Sequence, residues 1–220
     1  MNATHPRARP EPGDGLRIPE TELAGQALRF AAEAESPMLF RHSMRTYFYA
    51  RGAARERGLR ADADFDDEAL FLACVLHDIG LTEAGNGAAR FEVDGADLAV
   101  SFARERGLDE ARAQVLWTAI ALHTTGGIAE RLGTESALTR AGVQADLFGV
   151  STPEDSALRR AVEAAYPRPA DGAPVMDVIA EAIVAQVAER PGKAERYTLA
   201  AHLAAEHGVP LPPPVPIDVG

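Results

Sequence analysis

The sequence predicts an all-α fold, and three observations carry that prediction. Alanine supplies about a fifth of the 220 residues, which favours helix wherever glycine and proline do not interrupt. Capping residues and stops recur at helical spacing along the chain. No segment alternates apolar and polar residues for long, and β-branched residues are sparse, so strand signals are weak. The expected architecture is one compact helical bundle from residue 18 to 208. A flexible tail precedes it at 1–17 and a Pro-rich tail follows at 209–220.

Each helix has its punctuation. Ser36-Pro37 reads as an N-cap followed by proline at the first helical position, with Gly58 as the stop. Asp66 or Asp67 caps an apolar helix that ends at Gly80. Asp94 is expected to cap a helix ending at Gly107, and Asp109 one ending before Gly126-Gly127. Thr152-Pro153 is expected to open a helix through Ala165. Pro174 opens the next, and a last helix is expected from Arg196 to Glu206.

Composition narrows the function classes. With 22 basic and 33 acidic side chains, the net charge is −11. That balance disfavours nucleic acid and anionic membranes as partners, since both are held through basic patches. No stretch of 18 or more apolar residues occurs, and the N-terminus lacks the apolar core of a signal peptide. A cytoplasmic protein without nucleic-acid or membrane partners is expected. Its Ala-rich C-terminal helices are suited to packing against a second copy, so a homo-oligomer is compatible with the sequence. Cys74 is the single cysteine, which excludes an internal disulfide and a Cys-rich zinc site. Lys193 is the single lysine and lies in a polar Pro-Gly-Lys segment, a poor setting for a Schiff base.

The chemistry concentrates in a few histidines and aspartates. An apolar helix runs directly into His77-Asp78, and Gly80 follows at once. Neighbours in mid-helix point about 100° apart. A last turn loosened before Gly80 lets both side chains approach one point. Core-like Phe71, Leu72, Val75 and Leu76 imply burial of the pair, and a buried carboxylate needs a partner such as a cation. His42 lies between aromatic residues on its helix, His123 ends an apolar run, and Asp146 sits in a short segment between glycines. Taken singly, His42 reads as a hydrogen-bonded core residue, His77-Asp78 and His123 as helix-end groups, and Asp146 as a cap. Together they offer a nitrogen/oxygen shell for one divalent metal: Zn2+, Fe2+, Mn2+ or Ni2+.

The order His42, His77-Asp78, Asp146 resembles the HD-domain superfamily of metal-dependent hydrolases. The similarity is closer to its cyanamide hydratase-like branch. It is carried by His42-Ser43 with Arg45 and Tyr47, then 76–82 (LHDIGLT), 90–96 (RFEVDGA), 119–124 (AIALHT) and the Gly142, Asp146, Gly149 segment. The resemblance implies an all-helical fold and metal ligands at His42, His77, Asp78 and Asp146. Binuclear relatives carry two extra histidines between the His-Asp pair and the last aspartate. Only His123 lies there, so one ion is expected, and the branch implies zinc.

The implied reaction is hydration of a small nitrile-type substrate, cyanamide to urea. In it, an ion with an open position acidifies water and so supplies the nucleophile. Asp78 and His123 are the candidate catalytic groups. His123 would move a proton, orient substrate, or support a ligand. Thr82, Asn86 and Thr124 are candidate pocket residues, with ordinary turn and capping roles as the alternative. Arg90 and Glu92 read as a structural ion pair, Trp117 and Cys74 as core, and His202 and His207 as surface. The competing activity is phosphohydrolysis of a nucleotide or phosphomonoester, with Arg41, Arg45 and Arg90 as phosphate binders. A metal-stabilised domain that binds a partner or senses a ligand, without turnover, is the third reading.

Overall fold

In the computed structural model, residues 16–150, 156–170 and 172–211 are described. Within them the chain forms nine α-helices and no named strand, the all-α architecture expected. They are α1 (Glu22–Ala34), α2 (Pro37–Glu56), α3 (Asp67–Leu76), α4 (Phe91–Arg104), α5 (Glu110–Ala121), α6 (Thr134–Phe148), α7 (Ala157–Ala165), α8 (Val175–Glu189) and α9 (Leu199–Glu206). No helix among them is long and apolar enough to cross a membrane.

The expected caps recur at most starts. Ser36 Oγ accepts the Leu39 N–H with Pro37 at the first helical position of α2. Asp66 caps α3 and Asp109 caps α5. The last helix, expected from Arg196, starts at Leu199 behind Thr198, a cap that the sequence pattern does not single out. α8 begins directly after Pro174. Asp94 is a correction, because α4 starts three residues earlier, at Phe91. The Asp94 carboxylate instead accepts the Ala89 N–H and pairs with Lys193 at 2.5 Å. The expected start at Thr152-Pro153 falls outside the described residues, and α7 is capped by Ser156. Most of both expected tails also lies outside them.

α3 is the centre. Leu70 through Leu76 have no exposed surface, so this helix is apolar on every face and must be enclosed. α1, α2, α5 and α6 enclose it, while α4 packs along α5. A second apolar cluster joins α8 and α9 to Leu39 and Phe91.

Two glycines bring elements unusually close. α2 packs most extensively on α6, and a Cβ at Gly142 would collide with the Thr46 carbonyl oxygen. Gly142 and Asp146 share a face of α6, as His42 and Thr46 share a face of α2. The close crossing therefore carries His42 to Asp146. Gly80, in a 3-10 turn (Ile79–Leu81), would likewise collide with the Phe91 carbonyl if it carried a Cβ. That approach sets the start of α4 against the end of α3.

Candidate metal centre

α3 ends at Leu76, with His77 as its C-cap and Asp78 just beyond, leading into the 3-10 turn. The pair lies in a loosened end, the local structure that lets successive side chains converge. His77 Nε2 is 3.3 Å from Asp78 Oδ2, and His42 Nε2 is 3.1 Å from His77 Nε2 and 3.6 Å from Asp78 Oδ2. All three side chains are buried. Their ligand atoms lie within 4.8 Å of one another, a grouping able to hold a metal ion.

The hydrogen bonds prepare these atoms for a cation. His77 Nδ1 lies 2.8 Å from the Cys74 carbonyl oxygen, which can only accept, so Nδ1 carries the proton and Nε2 keeps its lone pair. His42 Nδ1 lies 2.7 Å from Asp146 Oδ2 and is fixed the same way. Asp78 Oδ2 is buried without any hydrogen-bond partner. An unpaired buried carboxylate oxygen facing two imidazole lone pairs is a costly arrangement in protein alone, and a divalent cation resolves it. The donor set, two imidazoles and a carboxylate, fits such an ion.

His123, two residues beyond the end of α5, joins from the opposite side. Its Nδ1 faces the Ile120 carbonyl at 2.6 Å, and its Nε2 is 3.5 Å from Asp78 Oδ1. The His77 and His123 rings meet edge to face.

Asp146, expected as the fourth ligand, does not fall in the ligand cluster. It lies on the far side of the His42 ring, within α6 rather than in a short segment. Arg45 grips it bidentately, Nε to Oδ1 at 2.6 Å and Nη2 to Oδ2 at 2.8 Å, and Arg168 Nη2 adds a bond of 2.9 Å to Oδ1. Burial raises the Asp146 pKa, but the bonds from His42 and Arg45 outweigh it and hold the carboxyl well below the usual range. Asp78 is also held well below its usual range: burial opposes ionisation, and His77 and His123 more than compensate.

The expected pocket residues divide. Thr124 lines the cavity at the cluster and donates from Oγ1 to Glu92 Oε1 at 2.6 Å. Glu92 is fully buried and paired with Arg90, the structural role expected of them. Thr82 and Asn86 are corrections, since neither lines that cavity. Thr82 Oγ1 donates to the Ile79 carbonyl, while Asn86 accepts from Lys193 and Arg190 and ties its loop to the end of α8. Lys193, in its polar Pro-Gly-Lys segment, is buried, paired with Asp94 and absent from the cavity wall. Cys74 is buried core, its thiol pushed up by burial.

Sequence reasoning missed three groups. Arg168 closes on Asp146. Glu35 is buried at the C-cap of α1, takes a hydrogen bond from Ser43, and is raised well above a normal carboxyl pKa by burial and the charge of Asp78. The third group is the cavity wall. The cavity measures about 140 Å3 and is lined by His42, His77, Asp78, His123 and Thr124, with Phe91 of α4 and residues of α6, α8 and α9 completing it. Larger hollows of 610 Å3 beside Phe30 and 620 Å3 beside Trp117 are shallow and hold none of the histidines.

A family model for the HD domain matches residues 39–214, well over half of the chain. The chain belongs to the HD-domain family. Members of this family are metal-dependent hydrolases, and the His42, His77 and Asp78 cluster provides such a protein with a site for a divalent ion. No curated protein matches the chain. α1 precedes the matched HD-domain segment yet packs on α3, so it is part of the same bundle.

Proposed function

We propose that this HD-domain protein is a mononuclear, metal-dependent enzyme that hydrates a small nitrile-type compound, as in cyanamide to urea. The observation that carries the reading is the pairing of a metal-ready cluster with a cavity that contains no free cationic group among the described residues. Arg45 and Arg168 are committed to Asp146, Arg90 to Glu92, and Arg41 is exposed. Arg140, the one basic residue in the wall, is paired with Glu130 at 2.9 Å. Beyond the ion itself, the cavity offers a nucleotide or phosphomonoester no unpaired guanidinium or ammonium donor among the described residues, which favours an uncharged substrate.

His42, His77 and Asp78 would hold the ion, and Asp146 would act through His42 by fixing its ring and tautomer. When bound, a divalent ion such as zinc acidifies water and polarises an electrophile. His123, whose Nε2 faces Asp78, is placed to take a proton from the attacking water and return it to the nitrile nitrogen. The Ile120 carbonyl, accepting from Nδ1, keeps that imidazole oriented. Thr124, held by Glu92, lends its hydroxyl to substrate orientation.

The test is side-by-side release of urea from cyanamide and of phosphate from nucleotides and p-nitrophenyl phosphate, by protein loaded with zinc, manganese, iron or nickel. Urea release that disappears in His77→Ala supports the reading. Phosphate release exceeding it would replace hydration with phosphohydrolysis.

A further inference from the structure

The cavity that contains the His-Asp cluster is built for more than a three-heavy-atom substrate. Its volume of about 140 Å3 is several times the space a water occupies in the liquid, about 30 Å3. Beyond the histidines, Asp78 and Thr124, the wall is mainly hydrocarbon. Val143, Leu147 and Phe148 come from α6, Met176 and Ile179 from α8, and Leu199 from α9. Cyanamide would leave most of this surface without a partner.

The source of that wall matters. α8 and α9 sit on the second cluster, in which Ile179 is buried and against which Leu147, Met176 and Leu199 pack, so that cluster backs the wall on one side and leaves its other side to the cavity. Met176 and Leu199 are only partly buried and line the cavity as well. Polar groups in this part of the wall are few: Gln144, and Arg140 already paired with Glu130. Such a surface gains free energy only by covering apolar area.

We propose that Leu147, Met176, Ile179 and Leu199 form a specificity subsite for an uncharged apolar substituent, so that the substrate is an aryl- or branched-alkyl-substituted cyanamide rather than cyanamide itself. The chemical step rests on the hydration reading above; the subsite rests on the wall. For R–NH–C≡N plus water the product is R–NH–CO–NH2. The water oxygen bonds to the nitrile carbon, the carbon–nitrogen triple bond becomes a single bond, and both water hydrogens finish on that nitrogen. R stays unchanged and contributes binding only.

Two readouts on the metal-loaded full chain separate subsite from chemistry. The first is kcat/KM for phenylcyanamide against cyanamide. The second is calorimetric binding of phenylurea against urea, which needs no turnover. Burial of a phenyl group predicts a preference of at least about tenfold in both. In Met176→Ala and Leu199→Ala, both at partly buried positions, that ratio should fall several-fold. Cyanamide turnover with no phenyl preference, and phenylurea binding no tighter than urea, would overturn the subsite while leaving hydration intact. Tight phenylurea binding that weakens in both variants, with no hydration of either compound, would uphold the subsite and remove the hydration reading. Wild-type protein alone decides the first comparison if a variant fails to fold.

Discussion

Replacing Asp146 by asparagine probes how the metal centre is held. Asp146 accepts four bonds: from His42 Nδ1 at 2.7 Å, from Arg45 at 2.6 and 2.8 Å, and from Arg168 at 2.9 Å. Asparagine offers one acceptor oxygen and a donor amide, so at least one buried donor faces another donor. Arg45 has no exposed surface, and its further bonds are to the carbonyls of Tyr166 and Pro167. The variant strands its charge. Breaking a buried pair from one side costs about 3–5 kcal/mol. The same change frees the His42 ring and weakens metal affinity by about 10- to 100-fold, the usual effect of losing a group that orients a ligand. Urea denaturation of metal-free protein measures the first quantity, and competition against a chromophoric chelator the second. An apoprotein within about 1 kcal/mol of wild type would refute the electrostatic argument. Complete loss of metal, equal to that in His77→Ala, would place Asp146 on the ion directly.

Further outcomes follow from other contacts. Gly142→Ala should destabilise the protein by about 1–3 kcal/mol in a thermal melt, because the added methyl meets the Thr46 carbonyl at the α2–α6 crossing. His123→Ala should retain metal within a few-fold while lowering turnover by about 100-fold or more, measured by metal analysis alongside urea release. Asp66 has a lowered pKa: burial raises it, but Arg112 and the Ala69 N–H prevail. A depressed carboxylate binds fewer protons folded than unfolded, so its contribution is complete above the unfolded value near 3.9 and is lost as pH falls through the folded one. Wild-type stability should therefore drop below about pH 4 in acid titrations followed by circular dichroism, and Asp66→Asn should show a shallower decline.

The bundle was legible because helix caps are local. Ser36, Asp66 and Asp109 act within three residues of their own position, and each caps the expected helix. What failed depended on partners far along the chain. Asp94 looked like a cap, but Lys193 lies 99 residues away and claims its carboxylate. The same bond holds the one lysine of the chain in a buried position, although its own segment is polar. Gly142 read as one end of a short segment around Asp146, whereas α6 runs through it and the missing side chain admits α2. Neither α1 nor α6 was individually expected. Their signals are weak: Thr21 is an ordinary polar residue before α1, and α6 follows Gly133, which has no side chain to cap it.

At the site, the identity of the converging residues was legible and their arrangement was not. His77-Asp78 before Gly80 forecast a loosened helix end, and the structure has one. That Asp146 takes the Nδ1 side of His42 depends on Arg45 and Arg168, which approach from α2 and from the segment after α7. Arg45 stood out in the sequence as a phosphate binder; its fully buried position instead makes it the counter-charge of Asp146. The apolar wall was not legible, since Leu147, Met176 and Leu199 come from three helices whose mutual placement no local pattern encodes.

The central claim is one ion held by His42, His77 and Asp78. Elemental analysis of purified wild type and of Asp78→Ala, after dialysis against buffer with a divalent metal, tests it directly. One equivalent of transition metal per chain, absent from the variant, is the predicted result. Two equivalents in wild type, or an unchanged content in Asp78→Ala, would contradict it.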